Sequence, residues 1–424
     1  MKKDALLFLI IAFASVIVFR QSFSNFFTQD DFILTAEFSQ NNLVQDIDNV
    51  FGPPRVTHWR PLHNLYFLIT GNIFGRNYFG YHLLSFVLHL LTAFLIYKVT
   101  FKIIGDLRSS VVASFIYAVH PAHFVSLFWI SGGATTIGLL LLLLSIYFYI
   151  YEKRFICVIF YICALLASES MIVGLLIFLA YEFLLKRKKS DWHLIKIILA
   201  LSLLFLTVRL SFLTPQSTYG AYKIELSWKV FASLKFYILR ILGFSETGGD
   251  LLVSIALLGW LFFVGVLLLK TFWTEKNLGI LQFYLSIIIL GFFPFILIPN
   301  LLSAHYMSVS IFGFASIVGI VLSKVKMPLI LTVISVFFLV AVINVNKIYN
   351  NNWVVERANI AKKYIQSIAS SNIVEGSTIV FNDNYISTSY DAYIALGTGK
   401  AIDFWFEGKN YQYCFTVFES CEDK

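Results

Sequence analysis

Apolar residues in this chain come in long unbroken runs, and the runs recur at lengths that suit a bilayer. A hydrocarbon core of roughly 30 Å takes about 20 residues of helix to cross. Runs of this kind lie near 5–20, 80–97, 111–128, 133–151, 155–168, 171–185, 194–212, 251–269, 279–297, 306–322 and 327–345, several of them short, and they predict about 11 transmembrane helices. A long loop, about 21–78, separates the first run from the second. Within it, 33–47 and 61–74 carry apolar residues at helical spacing but are too short and too polar to cross, so they predict amphipathic helices lying on the membrane surface. Beyond the last run, 353–369 again reads as helix and Thr378 to Phe381 as a strand. The pattern gives an all-α polytopic membrane protein, with a membrane domain over 1–345 and a small external segment over 346–424.

Composition agrees: of 424 residues 58% are hydrophobic and only 13% charged, which excludes a soluble globular chain. The placement of Lys and Arg sets the orientation, because cytoplasmic loops carry the excess of both. Lys2 and Lys3, Lys98, Lys102 and Arg108, Lys153 and Arg154, the run from Lys186 to Lys189, Lys270 and Lys276, and Lys324 and Lys326 all fall on one side of an eleven-span chain. The N-terminus is therefore expected in the cytoplasm, with the first long loop and the C-terminal segment outside, in a plasma membrane or, in a eukaryote, the endoplasmic reticulum. The net charge of +8 follows from these anchors and implies no nucleic-acid partner. The first run follows two lysines as a signal peptide would, but bulky Val18 to Phe27 offer no small-residue cleavage site, so it is expected to stay as a span. Cys157 and Cys163 fall inside a span, whereas Cys414 and Cys421 fall in the external segment, where an oxidising compartment would let them pair.

Polar chemistry collects near the outer face. Asp30 and Asp31 stand where the first span ends, a costly place for two carboxylates without a task. The same loop carries Asp46 and Asp48, then Gly52-Pro53-Pro54-Arg55, then His58-Trp59-Arg60-Pro61-Leu62, in which Arg60 should be extended or in a turn ahead of proline. His58, His63, His82, His120, His123 and His305 all map to the outer side, and only His89 and His193 do not. His82, Ser85 and His89 form a stripe along one helix face. Ala118-Val119-His120-Pro121-Ala122-His123 ends the third span, where the proline predicts at least a kink. Ala167-Ser168-Glu169-Ser170 is a tight outer turn, with Glu169 either its solvated tip or a further group facing inward. Together these residues predict a shared polar cavity lined by His82, His120, His123 and Glu169.

A carboxylate at the membrane face with basic groups nearby suits transfer of a sugar from a polyprenyl-phosphate carrier. The acceptor hydroxyl needs a general base as it attacks the anomeric carbon, and the departing phosphate needs a cation in a site poor in water. Asp31, narrowly ahead of Asp30 for its distance from the helix end, is the candidate base. Arg60 leads the candidates for the phosphate, followed by Arg209 or Arg240, with His58, His120 or His305 assisting.

The order of Asp30-Asp31, His58-Trp59-Arg60-Pro61-Leu62, Tyr81 to His89, Val119-His120-Pro121-Ala122-His123 and Ala167-Ser168-Glu169 resembles the GT-C superfamily of integral-membrane glycosyltransferases. Within it the chain looks most like the protein O-mannosyltransferase type that in animals carries tetratricopeptide repeats. The likeness covers roughly 1–190 in motifs and 190–345 in layout. It implies a polyprenyl-phosphate-sugar donor, an acceptor on the outer side, inversion, and a first-loop Asp as base. No tetratricopeptide array follows the last span, so the acceptor stays open among glycan, lipid and protein. Asp30, Asp31 and nearby histidines are compatible with a divalent ion, yet no ligand spacing supports one, and the resemblance implies no obligatory metal or other cofactor. No Gly-rich nucleotide loop is present, which argues against a nucleotide-sugar donor. Two other classes compete. A flippase or transporter for lipid-linked sugars would show repeated halves with acids at mid-depth. An O-antigen-type ligase or polymerase would centre its chemistry on a late outer loop, for which 213–250 is the candidate.

Overall fold

A computed structural model of the chain describes every residue except 1, 40–42, 53–58, 187–190, 212–219, 221–222, 249, 275–277, 384, 419 and 422–424. The chain opens with α1 (Lys2–Phe19) and continues through three short helices, α2 (Asp30–Ser39), α3 (Leu43–Phe51) and α4 (Pro61–Phe74). The bundle follows with α5 (Tyr78–Ile104), α6 (Leu107–Ala118), α7 (Phe124–Phe128), α8 (Ala134–Ile150), α9 (Arg154–Ala167), α10 (Val173–Tyr181) and α11 (Trp192–Ser211). Then come α12 (Lys229–Ile241), α13 (Leu251–Thr274), α14 (Gly279–Ile296), α15 (Ser308–Leu322) and α16 (Met327–Tyr349). The C-terminal segment holds α17 (Trp353–Ser370), β1 (Thr378–Phe381), α18 (Ser389–Ala395), α19 (Lys400–Trp405) and β2 (Gln412–Phe415).

Among the described residues all eleven apolar runs are mainly helical, with a break in the third at Val119-His120. Among the described residues eight helices are long and apolar enough to cross a membrane, and α6 with α7 would make a ninth as a pair bent by 45°. The bend falls at His120-Pro121, where proline removes a helical hydrogen bond. Turns set the remaining boundaries. Gly105 closes α5 in the left-handed conformation, and Asp106 caps α6 by accepting from the Ser109 amide at 2.8 Å. The chain turns again at Ser168, which keeps α9 to 14 residues and leaves it and α10 short of a full span.

Lipid tails are as apolar as leucine, so the bundle holds by close packing and satisfied polar groups. α15 is buried along its whole length, with α6 and α14 against it. A Cβ on Gly319 would stand 2.2 Å from the Ser109 carbonyl oxygen, so the α6 and α15 backbones approach as only glycine permits. Buried donors reach carbonyls across the bundle: Ser15 Oγ to Ala118, Ser114 Oγ to Ala93 and Trp260 Nε1 to Val333. Contacts among basic residues tie one end together. Lys102 lies over Tyr151, Lys186 faces Glu152, Arg154 pairs with Asp191, and Arg108 and Lys324 line a common cleft.

The opposite end carries a cap with an apolar core of its own. Phe26, Phe27, Phe32 and Phe67 of the first loop pack with Ala358, Ile365, Leu396 and Phe404 of the C-terminal segment. Here water is the alternative, and each fully buried aromatic contributes roughly 1.5–3 kcal/mol. α2 is wedged between α4 and α19 with Phe32 fully buried, so its apolar side meets protein and not the lipid surface expected of it. The stretch read as one helix over 33–47 is two, since α2 ends at Ser39 and α3 begins at Leu43. α3 leaves Val44, Ile47 and Phe51 exposed, as a surface helix would. The expected strand β1 pairs in parallel with β2, and α18 and α19 supply the crossover between them. Cys414 and Cys421 are disulfide-bonded.

Candidate active site

The first turn of α2 is placed by the C-terminal segment. Gln29 takes φ +49° and its amide donates to the Ala395 carbonyl at 3.1 Å. Gly397, at φ +57°, lies so close that a Cβ there would meet Gln29 O at 2.5 Å, so glycine is required on both counts. α2 then starts with two consecutive carboxylates, which a helix points about 100° apart. Asp31 turns into the protein and is fully buried. Its Oδ1 accepts from Ser131 N at 2.8 Å and Ser131 Oγ at 2.7 Å, and its Oδ2 accepts from Thr28 N at 3.1 Å. Burial pushes its carboxyl up to about 7 although these hydrogen bonds pull the other way. Asp30 turns outward and is open to solvent inside a recess. The protein mass around it raises its carboxyl above the ordinary range, and the charges of Arg60 and Arg357 oppose that rise.

Arg60 takes φ −131° and ψ 67°, outside the helical region that the following proline disfavours and short of a fully extended backbone. Its Nε and Nη2 donate to Glu169 at 2.6 and 2.8 Å, and Arg209 Nη2 donates to the same carboxylate at 3.4 Å. Glu169 is therefore not the solvated tip of a turn: it joins the first loop to α11 and fixes the fork of Arg60 beside the recess. Arg60 lies within electrostatic reach of both Asp30 and His305.

A second basic group approaches from α12. Arg240 is buried with its guanidinium 5.0 Å from the Phe236 ring, and its Nε and Nη1 have no hydrogen-bond partner among the described residues. Glu246, which the sequence did not single out, stands within electrostatic reach of Arg240 and accepts from the Ala304 amide at 2.8 Å. The residue after Ala304 is His305, whose Nδ1 meets Ser303 Oγ at 2.7 Å and whose ring lies 6.1 Å from Trp129. Trp129 packs edge-on to Trp353 at 5.3 Å, and Arg357 lies over Trp353 at 5.0 Å. Asp30, Arg60, His305, Trp129, Trp353 and Arg357 thus surround one recess. Trp353 and Arg357 were missed as well, although their four-residue spacing on one helix was a usable signal.

The remaining histidines do not line it. His82 reaches the carbonyls of Leu127 and Asn25 at 2.9 and 3.0 Å, and His120 Nε2 reaches Ile241 O at 3.1 Å. His123 packs in the bundle against Tyr117 and His89, with ring centroids 4.4 and 4.7 Å away. The expected cavity shared by His82, His120 and His123 is not formed: His82 and His120 spend ring nitrogens on carbonyls of other segments, and His123 packs among aromatic rings. His63 packs on Phe67 inside the cap. His58 lies outside the described residues. Among the described residues no group of three or more His, Cys, Asp or Glu is arranged to hold a metal ion.

No family model matches the sequence, and no curated protein matches it. Solved structures do match in fold. ArnT from Cupriavidus metallidurans in the apo state, 11% identical, aligns with a TM-score of 0.56 over 98% of this chain and 90% of that one. The same protein bound to undecaprenyl phosphate, 12% identical, gives 0.54 over 99% and 91%. The oligosaccharyltransferase of Archaeoglobus fulgidus in the apo form, 13% identical, gives 0.51 over 93% of this chain and 64% of its own. The chain has the GT-C fold that its motif order implied.

Proposed function

We propose that this protein is a membrane glycosyltransferase that moves a sugar from a polyprenyl-phosphate carrier to an acceptor on the extracytoplasmic face, with inversion at the anomeric carbon. The observation that carries the reading is Asp30: a carboxylate on rigid helix, open to a recess that is otherwise ringed by aromatic and basic side chains. Asp31, with three hydrogen bonds on its two oxygens, serves to hold α2 against Ser131. This reverses the order that sequence alone favoured between the two.

Asp30 accepts the proton of the acceptor hydroxyl as its oxygen bonds to the anomeric carbon. The bond from that carbon to the phosphate oxygen breaks on the opposite side, and the polyprenyl phosphate leaves as an anion. A carboxyl raised above the ordinary range is a stronger base than an ordinary aspartate. The anion is met by Arg240, whose buried Nε and Nη1 have unspent donors, and by the positive charge of Arg60. The carrier is assigned by analogy with ArnT, which was solved with undecaprenyl phosphate bound. Basic residues at the end opposite the cap support a cytoplasmic N-terminus and an outward recess.

The test is transfer from radiolabelled polyprenyl-phosphate sugars by protein in lipid nanodiscs, with and without EDTA. Turnover is expected to survive chelation and to fall by about 10²–10⁴ in Asp30→Asn, with unchanged melting. Asp31→Asn is expected to keep measurable turnover. Full activity in a folded Asp30→Asn protein would end the assignment of the base, and carrier binding without turnover would favour the flippase.

A further inference from the structure

A second cleft, of about 810 Å³, opens beside the recess between the end of α16, α17 and the segment leading into α18. Helix geometry divides the two spaces. Trp353 and Arg357, four apart, face the recess, while Glu356, Asn359 and Lys363 at three- and four-residue steps face the cleft. Arg357 also joins them electrostatically, since it lies within reach of both Asp30 and Asp391 of the cleft wall. Arg357 therefore stands between the cleft and the carboxylate proposed as the base.

The lining says what kind of molecule fits. Asn350, Asn351, Asn352 and Asn359 line it with amides, although Asn352 is committed to Val354 and Glu246 and the Asn351 N–H to the Lys347 carbonyl. Of these, Asn359 is exposed with no side-chain hydrogen bond to another described residue, as is Glu356. The charges are two carboxylates, Glu356 and Asp391, against one ammonium, Lys363, with the Arg357 guanidinium within reach of Asp391, so the cleft has no excess of positive charge to select a phosphate headgroup or another anion. Tyr349, Ile360 and Ile386 add apolar wall. Paired amides and carboxylates with an aromatic ring match a pyranose, whose edge carries hydroxyls and whose face carries C–H groups. The volume lies within the ~300–1,000 Å³ of pockets that take drug-sized ligands.

We infer that this cleft is the acceptor subsite and that its occupant is a neutral glycan chain of several units, an inference that rests on the glycosyltransferase reading. The bound chain places one terminal hydroxyl over Arg357 at Asp30, and its further sugars lie along Asn359, Glu356 and Lys363.

The experiment uses the full chain in nanodiscs and three neutral probes, a mannohexaose, maltohexaose and N-acetylchitohexaose. Binding is read by saturation-transfer NMR, and transfer and slow hydrolysis of the donor are read in parallel. The expected result is saturable binding of at least one probe, weakened about tenfold or more by Asn359→Ala with Lys363→Ala. In the same double variant the acceptor KM should rise by a similar factor, with kcat and donor hydrolysis unchanged. Both positions are exposed on helix, where alanine is a strong helix former, so folding is kept. Failure of every probe to saturate, an unaltered Kd and KM in the double variant, or displacement of the probes by an acceptor peptide alone would each overturn the inference. Glycan binding that the double variant weakens, in a protein that hydrolyses no donor, would uphold the cleft as a glycan site and remove the transferase reading.

Discussion

Asp31→Asn separates the two neighbouring carboxylates by a sign change in stability. The folded pKa of Asp31 is about 7 against an ordinary 3.8, and one pKa unit corresponds to about 1.4 kcal/mol, so the ionised form is disfavoured by about 4 kcal/mol in the folded protein. Between pH 4 and pH 7 the folded state holds more protons than the unfolded state. Stability from this group is therefore whole below pH 4, falls by about 4 kcal/mol as pH rises to 7, and is flat above that. Asparagine removes the slope. It keeps an oxygen for Ser131 but turns an amide N–H toward the Thr28 amide, donor against donor, at about 1–3 kcal/mol that does not change with pH. The two stability curves should thus cross, with the wild type ahead near pH 4.5 and the variant ahead above pH 7. Denaturation followed by tryptophan fluorescence in detergent from pH 4.5 to 8.5 reads both curves, and their difference cancels every other titrating group. A difference that stays constant across that range would refute the buried charge.

Three further outcomes follow from the same geometry. Arg240→Gln should raise the donor KM or lower kcat by about 10²-fold, measured by transfer in nanodiscs, with some loss in melting as Glu246 loses its opposing charge. Glu169→Gln takes the charge from between Arg60 and Arg209, hydrogen bonds worth roughly 1.5–3 kcal/mol each when charged; thermal melting should fall and the donor KM should rise about tenfold. Gly397→Ala forces a left-handed alanine at about 1–2 kcal/mol and pushes Gln29, so kcat should drop with acceptor KM little changed, read by steady-state transfer.

Run length told where helices lie, since burial in a bilayer leaves little choice of secondary structure, and the helix near 353–369 and the strand Thr378–Phe381 followed from local pattern. The cap was not legible. The contact between Gln29 and Ala395, like the core that joins Phe27 to Phe404, links residues hundreds of positions apart, and no periodicity within either segment carries that pairing. For the same reason α2 read as a lipid-surface helix: its apolar face predicts an apolar partner, and the sequence does not say whether lipid or protein supplies it.

The candidate site shows the same limit at finer scale. Topology gives each residue a depth in the membrane but no direction around its helix, and six histidines at one depth were assigned to one cavity on that ground alone. Direction decides function here. A buried polar group needs a partner, and those that find one in the backbone are spent on the fold: His82 on Leu127 and Asn25, His120 on Ile241, Asp31 on Ser131 and Thr28. The groups left for a ligand are those the fold does not use. Asp30 faces the recess one residue from a carboxylate that is fully committed, and Arg240 and Trp129 keep buried N–H donors without partners among the described residues. An unpaired buried donor costs about 1–3 kcal/mol. Under the proposed function a substrate that reaches these donors would recover that cost, so the same arithmetic that marks Arg240 and Trp129 as unfavourable in the protein alone makes them the side chains to test for ligand contact.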